Sequence, residues 1–203
     1  MKLLREYIRI LLTEGAKGPG DLPDNVVVAI IDQGEHREFA YMLEKEGPYG
    51  TTKMEKASSK SAGLHGQVSL MKPEYPCGGA WEVFWAKAEH GWGPMLYDVA
   101  MEWASQNGGG LTSDRNTVSA AAEGVWDYYL SNRSDVQSMQ LDDLKNTITP
   151  EEEDNCNQNA ASEGDYGTKY EPIDFQKSPL SKRYTKSPTT MNALEAAGKL
   201  VIT

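Results

Sequence analysis

The stretch Ala80-Trp81-Glu82-Val83-Phe84-Trp85-Ala86, followed by Glu89-His90-Gly91-Trp92-Gly93-Pro94, decides how the chain is read. The first seven residues are almost all apolar or aromatic, which suits a β-strand buried on both faces at the centre of a sheet. Simple alternation sends Trp81, Val83 and Trp85 to one side and Glu82 and Phe84 to the other. A glycine turn follows. Pro94 suits the first turn of a helix, where its missing N–H costs nothing. Leu96, Val99, Ala100 and Trp103 repeat at helical spacing and mark that helix's buried stripe, and Asn107-Gly108-Gly109-Gly110 ends it.

Working outward, Gly110-Leu111-Thr112 reads as a short strand and Ser119 as the N-cap of a second helix with the stripe Ala122, Val125, Trp126, Tyr129 and Leu130. Val136 to Leu141 reads as a further strand. Upstream, Val26-Val27-Val28-Ala29-Ile30-Ile31-Asp32 is a β-branched run. Gln33-Gly34-Glu35 turns the chain, and Arg37 to Glu44 returns as a hairpin partner. Residues 46–63 read as a mobile loop, Gly66 to Met71 as a short strand. Residues 142–190 read mostly as loop with a solvated acidic run at Glu151 to Asp154, then a short helix over 189–197 and a strand over 199–203. Leu4, Tyr7, Ile8 and Leu11 predict an amphipathic helix over 2–13. The divisions expected are therefore an N-terminal helix and linker (1–20), an α/β core (21–141) and a loop-rich extension packing on it (142–203).

The chain of 203 residues carries a formal net charge of −10, which disfavours non-specific nucleic-acid binding. It has no run near the roughly 18 apolar residues that span a membrane. Arg5, Glu6 and Arg9 interrupt any secretory apolar segment, so a cytoplasmic protein is expected. Cys77 and Cys156 are too few for a disulfide scaffold; Cys77 reads as a buried structural thiol, and a bridge between the two is not expected in a reducing compartment. His36 and His65 have no cluster of companion ligands, so no metal site is expected. Asp98 and Glu102, four residues apart, read as a solvated helix face. Asp114-Arg115 reads as a local ion pair fixing its loop.

A strand running through a glycine turn into a helix aims several backbone N–H groups, and the positive end of the helix dipole, at one place. Such a turn can hold a pyrophosphate without basic side chains. The order is neither a P-loop, which needs G-x-x-x-x-G-K-[ST], nor a dinucleotide fingerprint, because Leu96 stands where its third glycine belongs.

The layout resembles the GCN5-related N-acetyltransferases, whose central strand leads into a Q/R-x-x-G-x-G/A turn that takes the pyrophosphate of coenzyme A. Here the turn is Ala88-Glu89-His90-Gly91-Trp92-Gly93, and the second helix carries Ser119, Ala122, Val125 and Trp126 where the family often has N-x-x-A-x-x-L-Y. The stretches GWGPMLYDVAMEWA and GGLTSDRNTVSAAAEGVWDYYL also resemble acetyltransferase-like proteins of marine bacteriophages. The resemblance covers residues 80–140. It implies an α/β (α+β) fold with a central mixed, mostly antiparallel sheet flanked by helices. It implies acetyl-CoA as cosubstrate, a small-molecule or peptide amine as acceptor, and the cytoplasm of a phage-infected host as setting. Ala86, Ala88, His90, Gly91, Trp92, Gly93 and Met95 are the expected coenzyme-binding residues, with N–H groups near Ala86 to Ala88 polarising the carbonyl. Glu82 is the expected base. Ala88 replaces the family's basic or amide residue and Trp126 its usual tyrosine, so Tyr129, with Tyr128 beside it, becomes the candidate acid. Trp92, between two glycines, is expected over the cofactor or at the substrate mouth, and the other four tryptophans in the core. Two further readings stand beside this one: a catalytically silent binding module of the same fold, and a phage structural or host-interaction protein docking through its terminal segments.

Overall fold

The computed structural model describes residues 15–143, 145–158 and 174–203; the helix expected over 2–13 lies outside them. The fold is α+β, built on one open mixed sheet in the order β7-β8-β6-β5-β4-β2-β1-β9. The strands are β1 (Val26–Asp32), β2 (His36–Glu46), β3 (Thr52–Lys56), β4 (Gly66–Met71), β5 (Trp81–Ala88), β6 (Leu111–Ser113), β7 (Val136–Gln140), β8 (Lys182–Lys186) and β9 (Leu200–Ile202). The α-helices are α1 (Ser59–Ala62), α2 (Gly93–Gln106), α3 (Ala120–Asn132) and α4 (Thr189–Ala196). Among the described strands only β1·β9 and β5·β6 pair in parallel; the other neighbours are antiparallel.

The strand β2 is long enough to serve two partners. Its first half pairs with β4 and its second with β3. The segment expected to be a mobile loop thus contains β3 and the short helix α1. All five β3 residues are exposed, so no apolar alternation marks it; backbone pairing with β2 and the ion pairs Lys45–Glu55 and Lys56–Glu38 hold it.

The sheet's inner face packs on α2, where Leu96, Val99, Ala100, Met101 and Ala104 are fully buried against Phe39, Val68, Leu70 and Leu111. Trp103 meets Phe39 and Trp81 edge-on at 5.7 and 5.0 Å, favourable aromatic geometry. On α2's other flank Glu102 is buried, not solvated. Its carboxylate pairs with Lys186 and accepts the N–H groups of Thr190 and Met191, capping α4. Asp98 pairs with Arg133 at 2.8 Å. Four residues of separation placed these two acids together, and cations from β8 and from the end of α3 neutralise them.

Two features of the expected C-terminal extension are corrected. It is part of the sheet: β8 lies between β7 and β6, and β9 extends the other edge along β1. The strand β8 has three cations in five residues, which hides it from an apolar pattern, yet Lys182, Tyr184 and Lys186 point inward and are buried. Cys77 is no free thiol; it forms a disulfide with Cys156, across 79 residues, and both cysteines are fully buried beside Ala80 and Leu141. The bridge fastens the segment after β7 to the loop that enters β5. No described helix is long and apolar enough to cross a membrane.

A crosslink closing a loop of this size restricts the unfolded chain, with an expected stabilisation of about 4 kcal/mol by loop entropy. Cys156→Ser should lower the urea midpoint accordingly without changing the folded-state circular dichroism. An unchanged midpoint would mean that the bridge contributes nothing to stability.

Candidate functional site

The site is a cleft of about 710 Å³ that opens where β5 and β6 part. The two strands pair only through Trp81↔Leu111, Glu82↔Thr112 and Val83↔Ser113. Beyond Val83, β5 continues for five residues, hydrogen-bonded to β4 on one edge but, among the described residues, to no strand on the other. The cleft is walled by Val83 to Gly91 on one side and by Asp114, Thr117 to Ser119, Ala122, Val125 and Trp126 on the other.

The parting has a local cause. The carboxylate of Asp114 turns back to accept the N–H groups of Asn116 and Thr117, both at 2.8 Å, which ends β6 in a tight turn. Arg115 then points away from β5 into the protein. Its guanidinium donates to the hydroxyl of Thr112 at 2.6 Å and to the carbonyls of Leu180, Cys156 and Asn157 at 3.1 to 3.3 Å. Burial pulls its pKa down to about 10, with the charges of Glu82, Asp143 and Asp114 opposing the fall. The expected local ion pair is therefore an Asx turn plus a buried arginine anchor.

At the top of the cleft, β5 runs into the turn Glu89–Trp92 and then α2. Pro94 sits in the first turn of α2, and no side chain caps its N-terminus. The turn is clamped from two directions, by Tyr41 and by residues 15–17. Tyr41 donates its hydroxyl to the carbonyl of Trp92 at 2.7 Å. Lys17 N–H bonds the carbonyl of Gly91 at 2.9 Å, and a Cβ on Gly91 would lie 2.1 Å from the carbonyl oxygen of Gly15. With φ at +80° as well, residue 91 must be glycine. Gly93 is different: a Cβ there meets only Ala88 Cβ at 3.6 Å. The glycine pair thus has two tasks, a close chain crossing at 91 and an open helix terminus at 93.

Glu82 is buried one residue before the strands part. Its Oε1 accepts the backbone N–H of Arg115 at 3.0 Å. Desolvation raises its pKa, and Asp114 adds to the rise, against the lowering effect of that hydrogen bond and of the Arg115 charge. A bulge changes the face of the residues that follow. Leu70 opposes Val83 but Ser69 opposes Trp85, so Phe84 is the extra residue. Trp81 and Val83 stay on the α2 face. Trp85 crosses to the face of Glu82, and Phe84 joins it there, its ring 5.2 Å from that of His36.

Of the expected coenzyme-binding residues, Ala86, Ala88, His90, Gly91 and Gly93 line the cleft together. Trp92 and Met95 do not; both are buried in the core, Trp92 edge-on against Tyr41. The tryptophan left exposed is Trp85, because the bulge reverses its direction. Tyr129 also lies off the cleft lining. Its hydroxyl donates to Asp98 at 2.8 Å, and burial beside that carboxylate pushes its pKa well up. The reading of the sequence missed Tyr97, one helical turn beyond Gly93. It lines the cleft against Trp126, ring centroids 5.9 Å apart, and its hydroxyl has no hydrogen-bond partner among the described residues. Its spacing of four from Gly93 was the available signal. Burial raises its pKa to about 12.

One further grouping bears on chemistry. Ser59, His65 and Glu89 meet at the base of the turn, but Ser59 and Glu89 both contact the same ring atom, His65 Nδ1. A nucleophile–base–acid relay needs both ring nitrogens, so this trio is a pin tying α1 to the turn. The bond from Ser59 holds the Glu89 carboxyl below the ordinary range. Among the described residues no three His, Cys, Asp or Glu side chains are grouped to hold a metal ion.

Compared with protein-family models, with curated proteins and with solved structures, the chain finds no match in any of the three.

The raised pKa of Glu82 makes a stability test with a definite sign. Below the ordinary glutamate range the side chain is protonated in both states and costs nothing. As pH rises past that range the unfolded chain ionises first, and native stability falls until pH passes the raised folded value. Relative to Glu82→Gln, the wild type should therefore lose stability as pH rises through this window. Urea melts at a series of pH values read this directly; parallel curves would mean an unperturbed carboxylate.

Proposed function

We propose that this protein binds acetyl-CoA in the cleft between β5 and β6 and transfers the acetyl group to an amine. The observation that carries the reading is the continuity of the cleft. An unpaired backbone edge over 84–88 leads directly to an uncapped helix N-terminus at Gly93. An extended amide-bearing chain can pair with such an edge as an added strand would, and a pyrophosphate fits the positive end of the helix. This is the arrangement that the resemblance to the GCN5-related N-acetyltransferases leads one to expect, with a central strand entering a glycine turn and a helix within a mixed sheet. In place of the family's basic residue at the start of the turn, Lys17 approaches it from the N-terminal segment, with Cγ 3.6 Å from where a Gly91 Cβ would lie.

In the transfer, an ammonium first loses a proton to Glu82 through water, because that carboxylate is buried just off the cleft lining. The amine nitrogen then attacks the thioester carbonyl, forming the C–N bond, and the C–S bond breaks. The second proton leaves the nitrogen and the thiolate takes one from solvent, so charge and protons balance. Backbone N–H groups of the open edge are placed to polarise the carbonyl.

A second reading has an observation of its own. Trp126 lines the cleft where the family has its tyrosine, and the hydroxyl of Tyr129 is engaged by Asp98. A module that binds the coenzyme without transferring from it fits these facts.

Binding comes first in the test. Acetyl-CoA at 100 times its dissociation constant should stabilise the protein by about 2.7 kcal/mol in a thermal-shift titration. Gly93→Asp is the informative variant. An aspartate in the first helical turn favours the helix, and the site accepts a Cβ, so the fold should hold while coenzyme affinity falls by at least about tenfold through charge repulsion at the phosphate position. No shift with millimolar acetyl-CoA would refute the proposal and leave the reading of a structural or interaction protein. A shift without release of free thiol in the presence of amines would favour the silent module.

A further inference from the structure

We propose that the face of β5 carrying Glu82, Phe84 and Trp85 is the acceptor subsite, and that the acceptor is a monoamine with an apolar or aromatic body. The inference rests on the acetyl-transfer reading and adds the substrate class to it. The bulge is its starting point. It breaks alternation so that two consecutive large aromatics lie on the same face, beside a buried carboxylate. Both remain substantially exposed, Phe84 at 39% and Trp85 at 44%, whereas the four other tryptophans are buried. Adjacent exposed aromatics contribute little to folding, because their apolar area stays in water. They suit a ligand that covers them.

Charge selects the kind of ligand. Glu82 and Asp114 stand at the point where the strands part, and neither has an ion pair among the described residues. Glu38, on the same face, is already neutralised by Lys56 at 2.8 Å. Glu89 is held by Ser59 and His65. Asp114 and the two aromatic rings line the cleft, with the buried Glu82 carboxylate at the same junction, a setting that suits one cation, an ammonium that the rings also attract through their negative π faces. A second positive charge has no such place. Lys87 lines the cleft toward its upper end and would repel the rest of a polyamine or a basic peptide. Most other lining side chains are apolar, which favours a hydrocarbon body.

The test uses the full chain and two readouts. Calorimetric titration of the protein saturated with coenzyme A compares 2-phenylethylamine, hexylamine, spermidine and a lysine-rich peptide. The two monoamines should bind at least about tenfold more tightly than the polycations, the weight of one to two good cation–aromatic contacts. Trp85→Ala, an exposed position, should keep the melting temperature, weaken 2-phenylethylamine about tenfold and raise its KM in a thiol-release assay, with the dissociation constant of acetyl-CoA nearly unchanged. Equal or tighter binding of spermidine or the peptide would overturn the substrate class; indifference of 2-phenylethylamine to Trp85→Ala would overturn the subsite. Absence of acetyl-CoA binding in its own titration would bring down the acetyl-transfer reading and this inference with it, and is distinguishable because it appears before any amine is added.

Discussion

The site depends on a buried arginine. Arg115 carries a full charge into the protein where, among the described residues, hydroxyls and main-chain carbonyls accept its hydrogen bonds, and those partners come from strands and loops that must already be in place. A buried cation is tolerated only when its donors are satisfied. That requirement draws the chain away from β5 after three paired residues and holds it away. The open edge of β5 is thus the other side of Arg115's hydrogen bonding. Glu82 takes the same residue's backbone N–H, so the anchor also fixes the one carboxylate buried at the junction. The disulfide belongs to this argument, since the carbonyls of Cys156 and Asn157 are two of the acceptors and Cys77 holds their segment in place.

The second constraint is the crowding at Gly91. Residues 15–17 cross the turn so closely that no side chain fits, while Tyr41 fastens the next carbonyl from the sheet. The turn is held by partners far away in sequence and not by its own side chains. A rigid turn fixes the direction of the first N–H groups of α2. Preorganised donors of that kind act on an anion without the cost of ordering them at the moment of binding.

Much of this was legible. The strand–turn–helix unit, its proline at the helix start, the Ser119 cap and the apolar stripes of α2 and α3 all follow local rules, and local rules read well from sequence. Most of the β5 edge and turn residues expected at the cleft do meet there. What failed was non-local. The strand β8 is hidden because its inward lysines are satisfied by Glu102 and Gln140, residues some forty and eighty positions away. The disulfide was missed because compartment was used to judge it, whereas proximity of the two chain segments decides it. Trp85 and Trp92 exchanged roles for a geometric reason: one inserted residue reverses every later side chain of a strand, and nothing in AWEVFWA marks where the extra residue falls.

On the acetyl-transfer reading, the missing tyrosine weighs less than it first suggests. A thiol resembling a free cysteine has a pKa near 8.5, so a departing thiolate is a stable anion that solvent can protonate. An amine resembling lysine has a pKa near 10.4 and is almost wholly protonated at neutral pH. The difficult proton is the one the nucleophile must lose, and the demand falls on a base. Glu82, its pKa raised by burial at the point where the strands part, is better matched to that task than an exposed carboxylate. Tyr97 stays protonated throughout the physiological range and offers the cleft a hydrogen-bond donor without having to give its proton away. Trp126 can then do what indole does well, filling the wall between α2 and β8 with its ring stacked on Tyr184, while the proton chemistry is carried from the strand.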